Sequence, residues 1–224
     1  MEILIIAAHP DDEVLGCGGS AARFSRDHEV HTLILGEGIT SRDIPEREKN
    51  HSLRELREQA MRAGEILGTH PPELLDFPDN RFDTIPLLEI VKVIEGAIRK
   101  IDPELVFIHH YGDLNIDHRR AHLASLTAMR PVAAPSVRRI LSYEVPSSTE
   151  WGIRDPCQTF SPAHYIDISG TLDRKIAAMR EYSLEIRRYP HPRSPEAIET
   201  TARKRGIEAG LPYAEAFSVI RSLE

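Results

Sequence analysis

The feature that most constrains this chain is an unbroken apolar run from Ile3 to Ala8, followed at once by His-Pro-Asp-Asp-Glu at residues 9–13. The run is short, rich in β-branched residues and without polar–apolar alternation, as is typical of a strand buried on both faces in a parallel sheet. The polar residues therefore follow the carboxyl end of a strand, where open α/β sheets bind their ligands. The sequence predicts an α/β protein with its active site at that edge.

Strand and helix patterns alternate along the rest of the chain. Predicted strands cover 3–8, 30–36, 74–77, 104–109, 138–145 and 163–168, and predicted helices cover 18–27, 46–67, 86–101, 117–130, 171–188 and 195–209. Helices of this length between strands indicate right-handed βαβ units and a mostly parallel sheet, the arrangement of a Rossmann-like three-layer sandwich. Since no repeat or linker divides the chain, we expect a single domain over 1–224, with one long loop at 146–162.

Composition excludes several classes of protein. The net charge is −7 and the basic residues are dispersed, which argues against a nucleic-acid partner. No apolar run approaches the roughly 20 residues of a membrane span, so no stable membrane insertion is expected. The early first strand leaves no room for a signal peptide, and Cys17 and Cys157 form neither a disulfide framework nor a Cys-x-x-Cys metal site. We therefore expect a cytoplasmic protein.

A second polar cluster, residues 109–122, follows the predicted strand 104–109 and should open onto the same sheet edge. Together with the first cluster it would give a three-ligand site of His9, Asp12 and His118 with a position left open for water, the pattern of catalytic zinc. Asp11 and Asp12 are adjacent, so their side chains should point in different directions, and only one of them should bind the metal, which leaves the other for proton transfer. We expect one Zn²⁺ per chain, and other divalent ions can substitute because no thiolate is involved.

Three motifs carry a family resemblance. They are Ala-His-Pro-Asp-Asp-Glu at 8–13 with Gly-Cys-Gly-Gly at 16–19, Asp-x-x-x-Asp-His-Arg at 113–119, and Tyr-Ala-Glu-Ala-Phe at 213–217. Through them the chain resembles the LmbE-like / PIG-L family of zinc-dependent N-acetylglucosaminyl deacetylases. The resemblance implies His9, Asp12 and His118 as metal ligands, Asp11 as general base, and a homo-oligomer.

One position departs from that family. The second motif of the family commonly reads His-x-x-His, and its first histidine helps to stabilise the oxyanion or to protonate the amine, whereas this chain has Asn115 there. Asparagine donates hydrogen bonds but does not shuttle protons at neutral pH. The candidates for the missing donor are His110, Asn115 itself and His191; otherwise Asp11 carries both proton transfers.

Four residues are candidates for substrate contact. Arg57 resembles an arginine that the family keeps near its substrate, although an arginine flanked by glutamates is usually on a solvated face. Arg193, in a Pro-stiffened segment, could bind an anion or belong to a simple turn. Trp151 could provide an apolar platform for a sugar ring, next to the hydroxyl groups of 147–149. Asp113 of the second motif completes the set.

The expected reaction follows from the resemblance: hydrolysis of the acetyl group from an N-acetylated amino sugar of the GlcNAc type, or a conjugate of it, releasing acetate. The partner is then a small molecule. Two alternatives remain open. Carboxylates and histidines on an α/β sheet also suit a two-metal phosphoester hydrolase, and the asparagine at position 115 is compatible with a non-catalytic sugar-binding relative.

Two further patterns receive structural interpretations. Glycines at 16, 18 and 19 are assigned to close backbone packing, because Ala21 breaks the Gly-x-Gly-x-x-Gly pattern of a dinucleotide loop. His122, one helical turn after His118, is expected to be an ordinary helix residue.

Overall fold

The computed structural model of the protein describes residues 1–43, 45–152 and 155–224. In chain order its strands and α-helices are β1 (Glu2–Ala7), α1 (Asp12–Phe24), β2 (Glu29–Gly36), α2 (Glu46–Leu67), β3 (Glu73–Phe77), α3 (Leu87–Ile101), β4 (Leu105–His109), α4 (Ile116–Ala128), β5 (Arg139–Tyr143), β6 (His164–Asp167), α5 (Leu172–Glu181), α6 (Pro195–Ala209) and β7 (Ala214–Ser222). These bounds confirm the predicted alternation of strands and helices.

The strands form one seven-stranded sheet in the order β3-β2-β1-β4-β5-β7-β6. Neighbouring strands from β3 through β2, β1 and β4 to β5 pair in parallel. Among the described strands, only β7 runs antiparallel to its neighbours. The chain starts at β1, moves outward through β2 and β3, and returns to the other side of β1 with β4. This reversal between β1 and β4 opens a crevice at their carboxyl ends, the usual ligand site of such sheets.

Two hydrophobic cores lie on opposite faces of the sheet. In β1, Ile3 and Ile5 point to the core shared with α1, α2, α5 and α6, whereas Leu4 and Ile6 point to the core shared with α3 and α4. All four side chains are almost fully buried, because a central strand of a parallel sheet has helices on both faces. The three-layer sandwich is thereby confirmed.

Helix α1 begins at Asp12, six residues before the predicted start, and breaks at Cys17. Glycine disfavours helices, but here packing requires it: a Cβ atom on Gly16 would lie 2.2 Å from the ring of Tyr143, and one on Gly19 2.8 Å from Ile168. The interpretation of these glycines as close-packing positions is confirmed.

Strand β7 is the element that the sequence did not reveal. It begins Ala-Glu-Ala, residues with little preference for strands. Its Glu215 accepts the backbone N–H groups of Gly19 and Ser20, at 2.9 and 2.7 Å, and pairs with buried Lys175, whose Nζ donates to the carbonyl of Leu15. The pair fills the break in α1, so the motif at 213–217 supports the helix that starts in the first motif.

Two predicted segments differ in detail. Helix α5 ends at Glu181 rather than at residue 188. An irregular segment then leads from Glu181 to α6. The predicted loop 146–162 contains a 3₁₀ turn, Thr149–Trp151, while positions 153 and 154 of that loop lie outside the described residues. None of the described helices is both long and apolar enough to cross a membrane.

Candidate metal centre and cleft

The polar residues after β1 and those after β4 meet at the carboxyl edge of the sheet. Asp12 Oδ2 lies 3.5 Å from His9 Nδ1 and 3.3 Å from His118 Nε2, and all three side chains are buried. One ligand atom from each residue lies within 4.8 Å of the others. The structure therefore brings together the three residues predicted to bind the metal.

The chemistry of this cluster fits a divalent metal. Although His118 Nε2 is close to Asp12, the geometry is not that of a hydrogen bond, and this buried nitrogen has no hydrogen-bond partner in the described part of the chain. An unpaired buried nitrogen is costly, and coordination to a cation would satisfy it. Two imidazole nitrogens and one carboxylate oxygen form a donor set that suits Zn²⁺ and related ions.

Two further carboxylates lie behind the histidine rings, one hydrogen-bonded to His9 and one close to His118. Asp117 accepts His9 Nε2 at 2.8 Å and also the backbone N–H groups of Asn80 and Phe82. Asp113 Oδ1 lies 3.2 Å from His118 Nδ1. Carboxylates on the outer nitrogens of metal-binding histidines fix the ring orientation.

A second group of possible ligand atoms comprises His9, Asp79 and Asp117. It shares His9 with the first group, and it would use the nitrogen that already donates to Asp117. Because Asp117 also accepts two backbone N–H groups, we interpret it as an orienting residue rather than as a ligand of a second metal.

Electrostatics tie the cluster together. Burial alone would lower the pKa of His9, but hydrogen bonds to Asp117 and Asp12 outweigh it and raise that pKa to about 10. Burial would also lower the pKa of His118, but the charges of Asp12 and Asp113 outweigh it and raise that pKa to about 9. For Asp12, burial is outweighed by His118 and His109, which hold its pKa well below the usual range. Without metal, protons on the histidines balance the carboxylates, and a bound metal would displace them.

Asp11, the predicted general base, has an unusual backbone. Its φ of 112° lies in a region that favours glycine and costs other residues about 1–3 kcal/mol. The carboxylate is buried and accepts Arg193 Nη1 at 2.8 Å. Burial raises the pKa of Asp11 well above its usual range, against the opposing charge of Arg193. A strained position occupied by aspartate rather than glycine indicates that the carboxylate itself is needed.

A neighbouring side chain holds this turn in place. Glu13 Oε2 accepts the backbone N–H of Asp11 at 3.1 Å, and Glu13 Oε1 accepts the hydroxyl of Tyr182 at 2.5 Å. The first motif is thus fixed to the segment that follows α5.

A polar cleft opens beside His9 and Asp11. Its wall comes from the loops after β2 and β3, the start of α4 and the segment between α5 and α6. The lining residues are His9, Pro10, Asp11, Gly38, Ser41, Arg42, Asp79, Asn80, Asn115, Glu185 and Arg193. Sequence reasoning missed Ser41, Arg42, Asp79, Asn80 and Glu185. Of these, Asp79 and Asn80, two and three residues beyond β3, could have been found from their place after a strand.

His110, one of the predicted oxyanion donors, is not among the described residues that line the cleft. Successive residues at a strand end point in opposite directions, and His110 donates Nε2 to the carbonyl of Gln158 at 2.8 Å while its ring packs on Phe160. His109 is the residue that faces the metal cluster: its Nε2 accepts the backbone N–H of Ala8 and lies 3.5 Å from Asp12 Oδ2.

The other two donor candidates differ in position. Asn115 caps α4, where its Oδ1 accepts the backbone N–H of Asp117 at 2.8 Å, and it borders the cleft. His191 accepts the backbone N–H of Arg193 and packs edge-on against Trp151, beside the cleft rather than in its wall. His122 bonds to the carbonyl of His109 and is an ordinary helix residue, as predicted.

The predicted substrate contacts divide in the same way. Arg193 borders the cleft, whereas Trp151 is exposed, packs against His191 and is not among the described residues that line the cleft. Arg57 instead forms a surface ion pair with Asp76, so the structure does not support its predicted substrate contact.

Asp113, the fourth predicted substrate contact, is likewise not among the described residues that line the cleft. Its carboxylate is buried and accepts the hydroxyl groups of Ser148 and Thr149 and the backbone N–H of Asn115, in addition to facing His118. It lies against the proposed ligand His118 and holds the loop of Ser148 and Thr149 in place.

The amino-acid sequence of the chain is similar to those of known deacetylases. Residues 4–129 match the PIG-L family model, described as GlcNAc-PI de-N-acetylase. The uncharacterized deacetylase YaiS of Escherichia coli is 30% identical over 152 residues, 65% of this chain and 75% of YaiS. The diacetylchitobiose deacetylase of Thermococcus kodakarensis is 27% identical over 232 aligned positions, 98% of this chain and 83% of that protein.

A solved structure shares the fold. The N,N'-diacetylchitobiose deacetylase from Pyrococcus horikoshii superposes with a TM-score of 0.80 at 20% identity, covering 98% of this chain and 84% of that one. At this identity the likeness concerns the arrangement of strands and helices.

Proposed function

The chain belongs to the PIG-L family, whose model covers more than half of it, and we propose that it is a metal-dependent N-deacetylase acting on an N-acetylated amino sugar of the GlcNAc type or a conjugate of it. One observation carries the proposal: His9, Asp12 and His118 converge within coordination distance beside the buried, strained carboxylate of Asp11. Family relatives named as deacetylases supply the reaction class.

We assign one Zn²⁺ per chain to His9, Asp12 and His118, and Co²⁺, Mn²⁺ or Fe²⁺ can replace it because the donors are nitrogen and oxygen only. When bound, the ion supplies Lewis acidity and lowers the pKa of water toward 7. The orienting carboxylates Asp113 and Asp117 keep the two imidazoles directed at the ion.

Asp11 carries the proton transfers. Its carboxylate accepts a proton from the water whose oxygen forms the new bond to the acetyl carbon, and returns a proton to the nitrogen as the amide C–N bond breaks. Arg193 binds Oδ2 of this carboxylate, which leaves Oδ1 for the proton. The products are acetate and a free amino sugar.

Asn115 is the best of the three oxyanion donors. Unlike His110 and His191, it borders the cleft, and because its Oδ1 is committed to capping α4, its NH₂ group is the one left to donate. Preorganised donors of this kind stabilise the charge that develops on the carbonyl oxygen. Since an amide does not shuttle protons, Asp11 serves as both base and acid.

The cleft wall suits a sugar. Ser41, Asp79 and Asn80 offer hydroxyl, carboxylate and amide groups to a polyol. A two-metal phosphoester hydrolase is less well supported, because the second group of ligand atoms shares His9 with the first. A non-catalytic binding protein is less well supported, because the relatives of the chain are named as deacetylases.

The test is acetate release by zinc-loaded protein from N-acetylglucosamine, N,N'-diacetylchitobiose and N-acetylglucosaminyl conjugates. We expect release from at least one of them, loss of activity with a chelator, and recovery when zinc or another of the named ions is restored. Full activity in protein shown to be metal-free by elemental analysis, or no acetate from any sugar, would contradict the proposal. The homo-oligomer and the cytoplasmic location stay predictions.

A further inference from the structure

Four charged side chains of alternating sign form an ion-pair chain. It begins at Arg42, passes through Glu185 and Arg193, and ends at the buried Asp11. Arg42 Nη2 lies 2.6 Å from Glu185 Oε2, and Arg193 Nη1 lies 2.8 Å from Glu185 Oε2 and 2.8 Å from Asp11 Oδ2. The exposed fraction of the side chain is 35% for Arg42, 22% for Arg193, and 2% and 3% for the two acids. The ion-pair chain therefore runs from the partly exposed Arg42 inward to Asp11, the proposed general base.

Glu185 is the member without a role so far. A buried carboxylate is costly unless it is paired, and this one is paired twice, with arginines from two different loops. It lies in the turn after α5, where its backbone N–H bonds to the carbonyl of Tyr182, the residue whose hydroxyl donates to Glu13. The turn that carries Glu185 is thus itself fixed to the first motif.

Arg193 depends on Glu185 for its orientation. Its Nε donates to Ser147, and its Nη1 is shared between Glu185 and Asp11. Without Glu185 the guanidinium group could turn about its Ser147 contact, and the shared contact with Asp11 would no longer be fixed. Asp11 has a strained backbone, so its carboxylate relies on such external contacts to keep its direction.

We propose that Glu185 is a positioning residue for the deacetylation proposed above, on which this inference rests. It fixes Arg193, and Arg193 in turn holds the Asp11 carboxylate directed into the cleft. Arg42 neutralises Glu185 from the outer side and contributes less, because it lies at the exposed end of the chain.

A matched control is available in the same molecule. Glu144 forms a two-point ion pair with Arg205 of α6, and this pair is also largely shielded from solvent, but neither residue lines the cleft. Glu144→Gln therefore makes the same chemical change in an arginine–glutamate pair away from the reaction.

The experiment compares Glu185→Gln, Arg42→Gln and Glu144→Gln in zinc-loaded protein. We expect Glu185→Gln to lower kcat by about 10²-fold, the cost of misplacing a reacting group, with a smaller change in KM and unchanged zinc content. We expect less than about tenfold for Arg42→Gln and less than about twofold for Glu144→Gln. Equal losses in kcat for Glu185→Gln and Glu144→Gln would overturn the proposal.

Two further measurements separate positioning from general damage. If Glu185 acts through Asp11, adding Glu185→Gln to Asp11→Asn should lower kcat no further, whereas independent effects would multiply. A crystal structure of Glu185→Gln should show the Arg193–Asp11 contact displaced, and an unchanged contact refutes the inference. If the wild-type protein releases no acetate from any sugar, the proposed function fails while this crystal structure still decides the role of Glu185.

Discussion

The floor and the wall of the cleft are built in different ways. The floor, defined as His9, Asp11, Asp12 and His118, uses side chains that directly follow β1 or lie in the first turn of α4. The wall, defined as Ser41, Arg42, Asp79, Asn80, Glu185 and Arg193, is gathered from separate loops between residue 41 and residue 193. Chemistry placed at strand ends is thus local in the sequence, whereas the surface around it depends on how distant loops pack.

The largest effects should come from the floor. Asp12→Ala and His118→Ala remove a ligand, so we expect loss of bound zinc and of activity, partly recoverable at high metal concentration. Asp11→Asn should keep near-stoichiometric zinc and lose roughly 10²–10⁴-fold in kcat, the usual contribution of a general base. Elemental analysis and kcat measured on the same preparations test the difference.

Asp11→Gly is the matched control for this experiment. Glycine tolerates the φ of 112°, so this variant should be more stable to denaturant than Asp11→Asn while being equally inactive. If Asp11→Asn lost the metal and Asp12→Ala retained it, the roles assigned to the two carboxylates would be reversed.

The floor shows how much the sequence reveals and where it fails. The apolar run 3–8 places His9 at a strand end, and the switch in strand order brings α4 beside it, so the ligands could be predicted. The sequence did not reveal that His109 faces the metal cluster while His110 points away from it, because this depends on which way each side chain points at the end of β4. The position of Asp113 could not be predicted because its hydrogen-bond partners come from residues 148 and 149.

The next effect tests Asn115, which joins floor and wall. Asn115→Ala removes both the helix cap and the donor, so we expect about 1 kcal/mol less stability and roughly 10²–10³-fold lower kcat. Asn115→Asp keeps a capping oxygen but has no amide donor, and should lose kcat with little change in stability. Denaturant unfolding and kcat for both variants are the measurements. Full kcat in Asn115→Asp would show that another group stabilises the oxyanion.

The wall shows why the remaining residues could not be predicted. Arg42 and Glu185 belong to no motif, and in the sequence each resembles an ordinary surface charge. Their contact joins positions 143 residues apart, so only the packing of α5 against α2 and the following turns brings them together. Arg193 could be predicted as a candidate because it lies in a Pro-stiffened segment, but nothing in the sequence indicates its contact with Asp11.

The smallest expected effect comes from comparing two carboxylates that approach the same atom, His9 Nε2. Asp117 and Asp79 both approach His9 Nε2, at 2.8 and 3.4 Å, but Asp117 is fully buried and bonded to two backbone N–H groups, whereas Asp79 borders the cleft. Asp117→Asn should weaken zinc binding by about 10–100-fold, because orienting carboxylates contribute that much to metal affinity. Asp79→Asn should leave zinc affinity within a few-fold and act on KM, because Asp79 lines the cleft where a sugar would bind and holds Ser41 and Asn80 there through hydrogen bonds. Zinc affinities from competition with a chromophoric chelator, together with KM, distinguish the two carboxylates. Equal losses of zinc affinity would place Asp79 in the metal centre and remove the boundary between floor and wall, since His9 would then be oriented equally from both sides.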